Sequence, residues 1–84
     1  MAIVRVDVVG KPGCHLCDDA DVIIDAIASE FPSVQVVRHN ILDDARLFDE
    51  WHNDIPVVLI DGVQHSSWRI DSDKFRTALE AAIA

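Results

Sequence analysis

The strongest constraint on this chain is a change of hydrophobic period across residues 10–16, with both of its cysteines at the junction. Ahead of the junction, Val4, Val6 and Val8 alternate with Arg5 and Asp7, the period-two pattern of a strand with one buried face. Gly10-Lys11-Pro12-Gly13 breaks that run. Beyond it, Leu16, Ala20, Ile23, Ile24, Ile27 and Phe31 recur at helical spacing, with Asp18, Asp21, Asp25 and Ser29 on the outer face, and Pro32 ends the segment. Cys14 and Cys17 stand where strand gives way to helix. In an intracellular chain with βαβ patterning, a Cys-x-x-Cys at such a point reads as a thiol–disulfide redox site.

The remaining pattern completes one fold. Val34 to Arg38 reads as a second strand, and a second helix is expected from about Asp43-Asp44, with Leu47, Phe48 and Trp51 on one side. Pro56 to Ile60 is short and wholly apolar, as in a strand buried on both faces. Asp61-Gly62 between Ile60 and Val63 signals a two-residue hairpin, with a returning strand from Val63 to about Trp68. Asp71 is the expected N-cap of a last helix, Ile70 and Phe75 are spaced as a hydrophobic staple, and Phe75, Leu79, Ala82 and Ile83 form its inner face. The order β-α-β-α-β-β-α over residues 1–84 predicts a single α/β domain. Its four-stranded mixed sheet carries helices on both faces.

Composition narrows the function classes. Half of the residues are hydrophobic, which excludes a disordered polymer. The formal net charge of -8 disfavours nucleic acid and anionic lipid as partners. The apolar run from Ala2 to Val9 is interrupted by Arg5 and Asp7 and is not a signal-peptide core. The uncharged stretches are too short for a membrane span. Two closely spaced cysteines do not make a secreted disulfide framework. A cytoplasmic monomer is expected.

The two cysteines differ in position. Cys14 falls at the expected helix N-cap, where unpaired N–H groups and the helix dipole favour a thiolate, and Lys11 lies nearby. Cys17 is one turn inside, beside the apolar face, and suits a resolving thiol. Asp18, Asp19 and Asp21 oppose a thiolate, and Asp21 and Asp25 repel each other at i,i+4. His15 is placed to help if protonated. Two buried core thiols, or half of a metal site, are the competing readings. His15, His39, His52 and His65 are scattered over different elements with no second Cys-x-x-Cys, so no metal site is expected.

Lys11-Pro12-Gly13-Cys14-His15-Leu16-Cys17 after the first strand, together with Asp54 to Gly62 leading into a hairpin, resembles the thioredoxin superfamily. Within it, the chain is similar to small bacterial glutaredoxin-like proteins. The resemblance runs from Ile3 to about Leu79. It implies a thioredoxin/glutaredoxin-like fold, a cis Ile55–Pro56 peptide facing the cysteines, Cys14 as nucleophile and Cys17 as resolving residue. Lys11, His15, Ile55, Pro56 and Arg69 are the candidate substrate-binding residues, with Lys11 and Arg69 suited to a carboxylate. The implied activity is thiol–disulfide exchange. A disulfide-containing protein or a small thiol would be the substrate, and a reductase or glutathione the electron donor. No tightly bound cofactor is expected.

The chain departs from glutathione-using relatives at two places. Leu16 stands where they have a tyrosine, and Ser66-Ser67-Trp68-Arg69-Ile70-Asp71 lacks their paired glycines. The net negative charge also opposes anionic glutathione. Two alternatives remain: a redox-inert binding module using the acidic helix, and a metal or iron–sulfur carrier using Cys14 with an external thiol. Trp51 and Trp68 are expected to be packing anchors, Trp68 being the better placed of the two to meet a substrate.

Overall fold

In the computed structural model, which describes residues 3–84, the alternating valines become β1 (Val4–Gly10) at the centre of the molecule. Ala2, the first residue of the N-terminal apolar run, lies outside that range. Helix α1 (His15–Ala28) follows, then β2 (Val34–Asn40), a 3-10 turn over Ile41–Asp43, α2 (Ala45–Trp51), β3 (Val57–Ile60), β4 (Val63–Ser67) and α3 (Ser72–Ile83). The four strands form one sheet in the order β2-β1-β3-β4. β1 runs parallel to β2 and antiparallel to β3, and β3 pairs antiparallel with β4. The architecture is the mixed sheet and element order expected from the periodicities.

Both faces of the central strands are covered. Val4, Val6 and Val8 point to the side of α1 and α3, packing with Ala20, Ile24, Ile27, Val58, Phe75 and Leu79. Val9, one residue on, turns to the opposite face and joins Cys17, Ile41, Ile55 and Val57, with Leu47 and Trp51 of α2 packed against them. This second cluster carries the cysteines, so the sulfur site is built into a core rather than laid on a surface loop.

Each helix starts on a side-chain acceptor. Asp71 Oδ1 takes the Lys74 N–H at 3.0 Å, and Asp44 Oδ1 takes the Arg46 N–H at 2.9 Å. Such caps satisfy N–H groups left without partners in the first turn. The hairpin turn has positive φ at both central residues, 49° at Asp61 and 83° at Gly62, the conformation that favours Asp-Gly. The turn is fastened to β1: Asp61 Oδ1 accepts from the Arg5 N–H at 2.9 Å, and the Asp61 N–H donates to the Arg5 carbonyl at 2.8 Å.

Several expectations are corrected. Phe48 and Ile83 are each 41% exposed rather than buried, because α2 is only two turns long and Ile83 falls in the last turn of α3, beyond the sheet-covering part. Helix α2 does begin where expected, at Ala45 with Asp44 as its N-cap, but Asp43 belongs to a preceding 3-10 turn that uses Asn40 as its own cap. Strand β4 ends at Ser67, and Trp68 leaves it with φ 64°. Leu59 and Ile60 of β3 are only half-buried rather than covered on both faces. The repulsion between Asp21 and Asp25 is offset by Arg38 of β2, whose Nε donates to Asp21 Oδ1 at 3.3 Å and whose second terminal nitrogen donates to Asp25.

Candidate active site

Gly13, at φ 78°, turns the chain out of the loop so that Cys14 arrives as the N-cap of α1. The Cys14 sulfur is the capping acceptor, taking the Cys17 backbone N–H at 3.2 Å. The Cys17 thiol also hydrogen-bonds to it. Both cysteines are free thiols; Cys14 is half-buried and Cys17 is buried at 5% exposure. One sulfur therefore faces outward and receives donors, while the other is inside and supplies one.

Burial pushes the Cys17 thiol up to about 12, reinforced by its hydrogen bond to Cys14 and by the nearby Cys14 and Asp21 charges. The Lys11 backbone N–H works the other way. Cys17 thus holds its proton in the folded dithiol, as a donor toward Cys14.

Room for the inner sulfur comes from Gly10. A Cβ there would lie 3.0 Å from Cys17 Sγ and 3.4 Å from Cys17 Cβ. In the sequence Gly10 reads only as a strand breaker; its steric role depends on how α1 returns across the end of β1, and no local pattern carries that.

The Ile55–Pro56 peptide bond is cis. Ile55 packs in the same cluster as Cys17, with Cys14 against it, so the chain before β3 meets the start of α1. Pro56 is buried, and its carbonyl accepts the Trp68 N–H at 3.0 Å. Trp68 is fixed further by its indole N–H, which donates to the Asn53 carbonyl at 2.8 Å.

The other candidate residues separate into two places. Lys11 lines a cavity of about 360 Å³ together with Gly10, Cys17, Asp21, Arg38 and His39. Arg69 lines a groove of about 450 Å³ with Leu16, Asp19, Val22, Trp68 and Ile70. The cavity and the groove share no lining residue, so Lys11 and Arg69 do not converge on one carboxylate. His15, the first residue of α1, is exposed and lines neither. Arg38 was not singled out in the sequence: its partners lie 13 and 17 residues away on another element. Among the described residues, no three His, Cys, Asp or Glu side chains gather closely enough to hold a metal ion. No helix among them is long and apolar enough to cross a membrane.

Comparison with known proteins agrees with this geometry. Residues 5–80 match the family model described as Glutaredoxin-like domain (DUF836). A Dictyostelium discoideum protein named Glutaredoxin-like protein YDR286C homolog is 32% identical over 78 residues, spanning 87% of this chain and 72% of that protein. Among solved structures, the crystal structure of a structural-genomics target from X. campestris superposes with a TM-score of 0.74 at 24% identity, covering 90% of this chain and 96% of the other. A mutant thioredoxin from Halobacterium salinarum superposes with a TM-score of 0.71 at 16% identity, covering 95% of this chain and 74% of that one, a likeness of fold.

Proposed function

The chain belongs to the glutaredoxin-like domain family, and on that premise we propose that it is a dithiol–disulfide oxidoreductase acting through Cys14 and Cys17. The observation that carries the proposal is the asymmetry of the pair: a half-exposed sulfur at a helix N-terminus receiving the Cys17 backbone N–H, and beside it a buried thiol whose burial favours its proton.

The cycle follows from that asymmetry. Cys14 thiolate attacks one sulfur of a substrate disulfide, forming a mixed disulfide and releasing the other substrate sulfur as a thiolate. Burial is the main hold on the Cys17 proton and persists in the mixed disulfide, while the smaller contribution of the Cys14 charge is lost once Cys14 is bonded to substrate. Cys17 then attacks the Cys14 sulfur, breaking the mixed disulfide, and its proton passes to the departing substrate sulfur, which leaves as a thiol. Two electrons pass to the substrate, and Cys14 and Cys17 are left as a disulfide for a reductase or glutathione to reduce. The Ile55 backbone, next to the sulfurs, offers polar groups to an extended substrate segment, and Pro56 presents no N–H beside them. A reducing cytoplasm suits this cycle.

The test is a side-by-side reduction assay with glutathione plus its reductase, and with thioredoxin reductase, as donors. Wild-type protein is expected to turn over a small disulfide with one of them, and Cys14→Ser to abolish that turnover. Wild-type protein inert with both donors, or activity retained in Cys14→Ser, would refute the assignment.

A further inference from the structure

The 3-10 turn and α2 form a cleft of about 290 Å³ that neither cysteine lines. Ile41, Leu42, Ala45 and Phe48 give it an apolar surface. Leu42 is 62% exposed and Phe48 41% exposed, and neither belongs to either core cluster. Exposed apolar residues scattered singly are ordinary. Two large ones lining one cleft, with the buried Ile41 between them and the core, make a contiguous patch, and such a patch marks an interaction surface. Both side chains are also held by local structure. The Leu42 N–H donates to Asn40 Oδ1 at 2.9 Å, which fixes the turn that carries it. The Phe48 ring stacks on His52, with centroids 4.7 Å apart and planes 3° apart, and the His52 Nδ1–H donates to the Phe48 carbonyl at 2.6 Å. Little ordering cost remains for a ligand that packs on them.

The rim of the cleft is acidic. Asp43 and Asp44 line it ahead of α2, and Asp49 lines it just past the first turn of that helix. None of the three makes an ion pair among the described residues. Over residues 41–51 the carboxylates of Asp43, Asp44, Asp49 and Glu50 stand against the single guanidinium of Arg46, a net -3 in a chain that carries -8. Apolar surface between uncompensated carboxylates selects a ligand that is apolar at its centre and cationic on both sides. The cleft also adjoins the thiols. Ile41 packs in the cluster that holds Cys17, and Asp43 lines the cavity beside Cys17 as well as this cleft. A ligand seated here lies next to the sulfur site without covering it.

We propose that this cleft docks a cationic segment of a partner protein, with one large apolar side chain packed on Leu42 and Phe48 and basic residues on either side of it meeting Asp43, Asp44 and Asp49. It is a holding surface, separate from the place where disulfides are exchanged, and it does not rest on the oxidoreductase reading above. Where that reading holds, the partner is kept beside thiols that stay open to a third molecule. A second copy of this chain is the poorer occupant, since two copies each carrying -8 repel.

The test measures binding to the full reduced chain by fluorescence anisotropy. Its probes are short labelled peptides without cysteine. The first has one Phe with two Lys on each side, the second has Ala for Phe, and the third has Glu for every Lys. The first is expected to bind at least about tenfold tighter than either of the others. Phe48→Ser should bring the first peptide down to the level of the second. Should Phe48→Ser fail to fold, Leu42→Lys at the more exposed wall should weaken the first peptide by the same order. Asp49→Asn should weaken the first and second peptides alike, whereas Glu80→Gln, an equal change of charge on α3, should leave both within about twofold, which separates the cleft from the general field of the chain. Saturating first peptide should leave the rate of Cys14 alkylation by iodoacetamide unchanged. Equal binding of the first and second peptides, a Phe preference that survives Phe48→Ser and Leu42→Lys, or an equal loss in Glu80→Gln and Asp49→Asn would each overturn the proposal. So would protection of Cys14 by the peptide, which would place it on the sulfur site. Self-association in sedimentation that Phe48→Ser abolishes would make a second copy the occupant and overturn it too. Failure of peptide binding with turnover of small disulfides intact removes the cleft alone, and binding without turnover removes the oxidoreductase reading and leaves the cleft.

Discussion

Replacing Gly10 with alanine introduces a methyl group 3.0 Å from Cys17 Sγ, several tenths of an ångström inside ordinary contact. Two opposing effects set the outcome. Alanine restricts the unfolded chain and on that account stabilises by about 0.4–1 kcal/mol. Overpacking a filled site costs about 1–3 kcal/mol. The neighbouring sulfur has little freedom to give way, because Cys17 is buried in a cluster with Val9, Ile41, Ile55 and Val57 and hydrogen-bonds to Cys14. Overpacking should therefore win, with a net loss of about 1 kcal/mol. For a domain of this size that lowers the Tm by about 4–8 °C. The assay is a double-mutant cycle by denaturant or thermal unfolding of the reduced protein: wild type, Gly10→Ala, Cys17→Ala and both together. Removing the sulfur removes the clash, so Gly10→Ala should cost nothing, or stabilise slightly, in the Cys17→Ala background. The coupling should fall in the range of about 0.5–3 kcal/mol measured for residues in contact. An equal loss in both backgrounds would refute the steric role assigned to Gly10.

Two further predictions concern stability. Cys17 is pushed up to about 12 from an ordinary value of 9.0, so its contribution to the reduced fold is intact below about pH 9. Between about 9 and 12 the unfolded chain has lost a proton that the folded chain still holds, and stability should fall by up to about 1 kcal/mol per pH unit. Urea midpoints of reduced wild type and Cys17→Ala across this range should diverge, the wild type falling faster; parallel curves would contradict the assignment. Asp71→Ala removes the acceptor of the Lys74 N–H at the start of α3 and should cost about 1 kcal/mol, read as a lower thermal midpoint. An unchanged midpoint would show that the cap contributes nothing.

Much of the architecture was legible because it is written in local patterns. The alternation of Val4, Val6 and Val8 identified the central strand, Asp61-Gly62 the hairpin, and Asp71 with Ile70 and Phe75 the entry to the last helix, where Phe75 is fully buried and Ile70 packs against its cluster. The misplacements fall where an element runs out of partners. Phe48 and Ile83 have the right spacing to be buried, but spacing does not say how far a covering surface extends. At the site, the distinct environments of Cys14 and Cys17 followed from their places in the first helical turn. The space beside Gly10, the grip of Arg38 on Asp21 and Asp25, and the locked orientation of Trp68 did not. Each depends on residues brought together from separate elements, and none leaves a short-range signature.

The division between groove and cavity has a consequence for engineering. Leu16 and Cys17 are neighbours in the chain, yet one belongs to the groove and the other to the cavity on the far side of the helix start. Positions lining the groove and positions lining the cavity can therefore be varied separately, and only the second set surrounds Cys17. Libraries built on each set of positions can be screened apart and then combined.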